Sequence, residues 1–263
     1  MKTSDYRSLP THYSVTTESV NVLTMMAMVI FFGLAFFMSS CTKDESFGET
    51  ENREEPTSLK VGLVGHWDFR GNANDLSESG FHGAVTGATP TRDRHGRDNG
   101  AFSFNGISDH INLGNIEELS FGGFQPYTIT SWVRPDTAGG NVISKWNGGV
   151  SAGWYLNVKS DMHISSYRNV VPWTAKSVDK VSDNEWVHLA TKYDGSTLYV
   201  YINGVLQASQ PFTSQPYDTR TDVLIGALHS RHKVAGFFQG DIDEVRLYNR
   251  DLTDDEIKIL ASN

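Results

Sequence analysis

Residues 236–257 read GFFQGDIDEVRLYNRDLTDDEI. Within them GDIDEVRLY (240–248) has the look of a strand, with polar and aliphatic residues interleaved at short range. The segment that follows, Thr253-Asp-Asp-Glu256, has capping-box spacing: the threonine hydroxyl serves one free amide and the glutamate reaches back for another. The stretch therefore predicts a strand followed by a short helix. It also raises a chemical question, because Asp241, Asp243 and Glu244 place three acids in four positions.

Outward from this stretch the same pattern recurs. YTITSWVRP (127–135) puts Tyr127, Ile129, Ser131 and Val133 on one face and Trp132 on the other. EWVHLATKYDG (185–195) alternates and ends in an Asp-Gly turn. LYVYINGVLQAS (198–209) carries Asn203-Gly204 between two β-rich arms, which fits a type I′ hairpin turn needing positive φ at both central residues. VLIGAL (223–228) adds a further strand. Many short strands with turns between them and no βαβ rhythm predict an all-β sandwich or jelly roll. The composition agrees, with 11% aromatic residues and 24 glycines in 263 residues.

The segments HWDF (66–69), NDLSESG (74–80), GAFSFNGISDHINLG (100–114), YTITSWVRP, EWVHLATKYDG, LYVYINGVL and GFFQGDIDEVRLYNRDLTDDEI follow one another in an order and spacing similar to the laminin-G-like jelly-roll family. That family belongs to the concanavalin A-like lectin and glucanase superfamily. The resemblance covers Val61 to Ala261 and implies a two-sheet antiparallel β-sandwich with a short C-terminal helix. With the N-terminal stretches read below, the chain divides into a leader (1–40), an acidic tether (41–60) and a jelly-roll domain (61–263).

Glucanases of this superfamily carry Glu-x-Asp-x-Glu on a strand, since residues two apart point the same way and can line one cleft. Simple alternation puts Asp241, Asp243 and Val245 on one face of GDIDEVRLY and Glu244 with Arg246 on the other, so the third carboxylate is missing. The reading is non-catalytic. No thiol other than Cys41, no Gly-x-Ser-x-Gly and no His-x-x-x-His zinc pair is present. The resemblance instead implies a structural calcium, for which it nominates Asp75, Asp109 and Asp243. Calcium takes six to eight oxygens. The alternative is that Asp75 and Asp109 form turns with their own backbone, while Asp243 or Glu244 pairs with Arg246 or Arg250.

Glycan binding by such a domain needs exposed aromatic faces and a few orienting polar groups. Trp67, Trp132, Trp154 and Trp186 read as strand residues, and Trp67, Trp132 and Trp186 are expected in the core. Trp146 in SKWNGG and Trp173 in NVVPWTAK lie beside turn residues, so they are the candidate platform, with Tyr167 and Arg168 completing it. Capping of the sandwich ends by the same two rings is the alternative. The basic segment LHSRHKVAG offers His229 and Arg231 as a second contact, suited to an acidic sugar.

Residues 22–38, VLTMMAMVIFFGLAFFM, form an apolar run followed by Ser39, Ser40 and the sole cysteine, Cys41. MSSC resembles a bacterial lipobox, with Cys41 as the lipidated residue, and Thr42-Lys43-Asp44-Glu45 resembles the surface-export signal of Bacteroidetes-type lipoproteins. An uncleaved membrane anchor is the other reading. Either one places the domain outside the cytoplasm, and the first implies a lipid anchor in the outer membrane. Residues 41–58 hold six acids and two bases, and residues 59–263 hold 23 acids and 18 bases. Neither supplies the basic surface that nucleic acid requires. The function expected is a non-catalytic, lectin-like carbohydrate-binding module of a cell-surface lipoprotein. A structural or adhesive domain is the alternative, ahead of a glycoside hydrolase.

Overall fold

The computed structural model describes residues 56–136, 139–148, 152–212, 220–231 and 233–263. Cys41, the apolar run 22–38, the tether up to residue 55 and His232 lie outside the described residues. No helix among the described residues is long and apolar enough to cross a membrane.

The described strands are β1 (Leu63–Trp67), β2 (Ala84–Thr86), β3 (Thr89–Thr91), β4 (Ala101–Asn105), β5 (His110–Gly114), β6 (Tyr127–Pro135), β7 (Gly140–Asn147), β8 (Ala152–Val158) and β9 (His163–Arg168). They continue with β10 (Thr174–Lys180), β11 (Val187–Tyr193), β12 (Thr197–Ile202), β13 (Val205–Pro211), β14 (Val223–Ile225), β15 (Leu228–Ser230), β16 (Lys233–Ala235) and β17 (Gln239–Tyr248). A helix α1 (Asp254–Ser262) follows. One sheet has the order β13-β12-β11-β6-β17-β4-β3, with β1 also on β17; the other has β10-β9-β8-β7-β14-β5-β2, with the β15–β16 hairpin attached to β7. Pairing is antiparallel apart from a single parallel bridge, His229 to Asn147. This is the predicted two-sheet sandwich.

Register explains the layering. On β6, Tyr127, Ile129, Ser131 and Val133 pair with Tyr193, Thr191, Leu189 and Val187 of β11 and turn inward. The inner face of the second sheet supplies Trp154, Leu156, Val158 and Ile164 to the same core. At the β12–β13 turn Asn203 and Gly204 both have positive φ, 48° and 76°, as the type I′ reading requires. Thr253 accepts from the Glu256 amide and Glu256 reaches back to the Thr253 amide, so the capping box is formed.

Helix α1 lies on the outer face of the first sheet. Ile257 and Leu260 bury themselves with Leu252 against Ala190, Tyr201 and Tyr248. Leu59, in a 3-10 turn spanning Thr57–Lys60, joins the same cluster and is fully buried. Ordered packing therefore includes the last residues of the 41–60 stretch. The second sheet has no helix over its outer face among the described residues; the β15–β16 hairpin lies beside β7 there.

Candidate functional site

That outer face carries an aromatic cluster, and strand register assembles it. Tyr155 on β8 sits directly opposite Tyr167 on β9, on the face away from Trp154 and Leu156. Their rings stack at 4.7 Å with 4° between planes. Trp173, in the turn between β9 and β10, continues the row on Tyr167 at 6.1 Å and 10°. Trp146 meets Tyr155 and Tyr167 at nearly right angles, 5.9 and 6.1 Å away. Because neighbours in the row already cover both faces of Tyr167, Trp146 meets the tyrosines at their edges. One broad ring face is left open, that of Trp173, which is 44% exposed while Tyr167 is only 8% exposed.

Trp173 is held in place by its own hairpin. Its amide donates to the Val170 carbonyl at 2.7 Å, and its carbonyl accepts from the Arg168 amide at 2.9 Å. Its φ of 79° is strained for a bulky residue, a conformation that persists only where the surroundings impose it and that clusters at ligand-binding positions. Asn169, in the same turn, is 5% exposed, and neither amide atom has a hydrogen-bond partner among the described residues. On β8, two residues from Tyr155 and on the same face, the buried carbonyl oxygen of Asn157 has no partner among the described residues. Unpaired buried polar atoms cost about 1–3 kcal/mol each, so the turn and the strand beside it carry local strain in polar pairing.

Burial raises the Tyr167 phenol above its usual pKa, with the Trp146 indole NH opposing. Burial also pushes Tyr155 up to about 12, reinforced by Tyr167. Both phenols stay neutral and able to donate at physiological pH.

Arg168 departs from the expected platform. Adjacent strand residues point to opposite faces, so Arg168 turns inward while Tyr167 turns out. It is 1% exposed, lies 3.8 Å over the Tyr193 ring and donates to the Gly123 carbonyl at 3.0 Å. It is a core residue that braces the sandwich end. Tyr155 was missed: GWYLNV reads as a strand, yet only full alternation separates inward Trp154 from outward Tyr155.

His229 and Arg231 do border the aromatic face. The β15–β16 hairpin crosses the outer face and returns beside Asn147, where the Gly148 amide donates to the His229 carbonyl at 3.1 Å. A Cβ placed on Gly148 would lie 2.6 Å from the Trp146 ring and 3.2 Å from Ser230 Cα, which places the hairpin tip against Trp146. Burial lowers the His229 pKa, with Asp222 opposing and His110 reinforcing.

The acids of GDIDEVRLY occupy the opposite side of the molecule. A bulge between Asp243 and Arg246, with Glu244 at φ 51°, turns Val245 inward. Asp241, Asp243, Glu244 and Arg246 then all face outward, correcting the alternation that separated Glu244 and Arg246 from the two aspartates. A bulge adds one residue to one strand and re-aims its side chains. Each acid is tied to a cation, Asp241 to Arg134, Asp243 to Arg94 at 2.5 Å and Glu244 to Arg246 at 3.0 Å, and the His66 ring also meets Glu244 at 3.0 Å. Burial and the Glu244 charge push Asp243 up to about 7, against Arg94. Burial would also raise Glu244, but the His66 hydrogen bond and the Arg246 charge bring it down to about 2. Trp132 and Trp186 lie on this outer face as well, half-buried under Arg94 and Arg134, and not in the core.

Asp75, Asp109 and Asp243 are not gathered together: no metal-holding group of three His, Cys, Asp or Glu occurs among the described residues. Asp75 accepts from the His66, Ser77 and Phe81 amides and from the Ser77 hydroxyl. Asp109 accepts from the Asn105 amide and the Ser108 hydroxyl. With their oxygens committed this way, the three do not fit a shared calcium.

A two-sheet antiparallel sandwich with an aromatic cluster on one open face defines the class. Residues 104–258 match the Laminin_G_3 model, and the chain belongs to that family of the concanavalin A-like lectin/glucanases superfamily. No curated protein matches the chain in sequence. Domain 4 of an extracellular arabinanase from Geobacillus stearothermophilus, solved with arabinotriose, is similar at 23% identity and TM-score 0.59, over 76% of this chain and 98% of that one. The binding domain of Paraclostridial Mosquitocidal Protein 1 is similar at 18% identity and TM-score 0.60, over 77% of this chain and 52% of that one. The botulinum neurotoxin serotype G binding domain gives 17% and 0.58, over 76% and 50%. The chain thus spans about half the length of these two toxin domains.

Proposed function

We propose that this domain is a non-catalytic carbohydrate-binding module whose ligand stacks on the open face of Trp173. The observation that carries the reading is the Tyr155–Tyr167–Trp173 row, which holds the exposed Trp173 ring on the outer face of the second sheet. A supported ring costs little entropy to present. That domain 4 of the arabinanase was solved with arabinotriose supports a sugar ligand. The non-catalytic part of the reading is supported by the ion pairs that occupy Asp241, Asp243 and Glu244. Lipidation at Cys41, with outer-membrane attachment and exposure at the cell surface, belongs to the same proposal and is supported by the MSSC stretch.

The test is retention on a panel of immobilised polysaccharides by the detergent-solubilised chain and its Trp173→Ala variant. The reading expects retention by the parent, loss in the variant and an unchanged melting temperature. Equal retention by both would sink it.

A further inference from the structure

The proposed platform leaves open which sugars it takes, and the charges around it bear on that. Asp222 is engaged by the Asn112 amide at 2.9 Å, and Lys176 is neutralised by Asp161 at 2.8 Å. The β15–β16 hairpin differs. Arg231 and Lys233 are exposed, and no ion pair engages either among the described residues. Most of the domain's other arginines are already committed: Arg94, Arg97, Arg134, Arg246 and Arg250 each meet a carboxylate. Two unspent cations at one hairpin tip, in a chain of net charge −9, form a local exception.

The hairpin is also fixed where these cations matter. Gly148 leaves room for no side chain between the Trp146 ring and Ser230, and the single bridge from His229 to Asn147 locks β15 to the strand that carries Trp146. Arg231, at φ 57°, sits at the turn beyond Ser230. His229 brings a buried Nε2 with no hydrogen-bond partner among the described residues. The face therefore has aromatic rings along β7–β9 and cations at its border.

We infer that the ligand is an anionic glycan, with a sugar ring on Trp173 and a carboxylate or sulfate of the same chain meeting Arg231 and Lys233. This rests on the proposed platform, and it names the ligand's charge class. Guanidinium and ammonium groups are suited to planar carboxylates and tetrahedral sulfates. Exposed pairs of this kind add modestly and are screened by salt, so they select between ligands that the aromatic platform holds.

The experiment titrates the full chain with uronate oligosaccharides (oligogalacturonate, oligomannuronate and hyaluronan fragments), with their methyl esters and with neutral arabinan and xylan fragments. The same series is run on Arg231→Gln/Lys233→Gln and on Trp173→Ala. The expected result is binding of at least one acid in preference to its ester. The double glutamine variant should weaken that acid about five- to tenfold, with the ester unchanged and the gap closing at high salt. Binding of acid and ester alike, insensitive to the hairpin variant but lost in Trp173→Ala, would overturn the charge assignment and leave the platform standing. Binding that survives Trp173→Ala would overturn both.

Discussion

His188 offers a stability prediction whose size follows from its surroundings. It is 1% exposed on the outer face of the first sheet, packed edge-on to Trp132 at 5.5 Å. Burial lowers its pKa from 6.5 to about 3; Arg94 and Arg246 add to the effect, and Glu244 opposes it. The folded chain thus keeps His188 neutral at pH values where the unfolded chain has taken up a proton. Below pH 6.5 the unfolded state binds more protons, so stability is lost as pH falls, until the folded histidine itself protonates near 3. At about pH 4.5 the gap is about two units, or about 3 kcal/mol. The perturbation is His188→Phe, which keeps a ring and removes the titration. Urea unfolding of both proteins at about pH 7.5 and about pH 4.5 gives a double difference, in which the parent should lose about 3 kcal/mol relative to the variant on acidification. Asp243, pushed up to about 7, runs the other way, because its folded form holds a proton that the unfolded form has lost between about 4 and 7. That contribution is common to both proteins and cancels. A difference between parent and variant that does not change with pH would refute the reasoning.

Two further outcomes follow from packing. Arg94→Met leaves Asp243, whose side chain is 1% exposed, buried as a neutral acid without its partner, and should destabilise the fold by about 1–3 kcal/mol. Adding Asp243→Leu should recover most of that loss, and a single variant as stable as the parent in urea would contradict the buried pair. Thr253→Ala removes the hydroxyl that caps the Glu256 amide at 3.2 Å and should cost about 1 kcal/mol by the same assay. An unchanged midpoint would mean that α1 is held by its buried face alone.

Much of the fold was legible because local rules and burial agree in this chain. YTITSWVRP alternates cleanly since β6 has one inner and one outer face, and Asn203-Gly204 marks its hairpin because few residue pairs tolerate two positive φ values. Thr253 and Glu256 identified α1 from two side chains. The failures came where one residue broke the period. The bulge at Glu244 moved Glu244 and Arg246 to the side of Asp243, and no local composition marks a bulge whose first residue is not glycine. Trp132 and Trp186 fall on strand positions that the family resemblance places in the core, but cation–π contacts with Arg94 and Arg134 let large rings lie on an outer face. At the candidate site, Trp146, Tyr167 and Trp173 were found from residue type and turn position. Arg168 was wrongly grouped with Tyr167 because adjacency in sequence is opposition across a strand. Partnering across strands, which brought in Tyr155, is invisible until register is known.

The central claim is that a sugar stacks on Trp173, and the six tryptophans provide the probe. The most direct measurement is the indole N–H NMR spectrum of the chain, assigned by single substitutions, during titration with the uronate and neutral oligosaccharides. The account predicts saturable shifts at Trp173 and Trp146, with buried Trp67 and Trp154 unmoved. Saturable binding that shifts Trp132 or Trp186 instead, or a spectrum that no glycan in the panel perturbs, would contradict it.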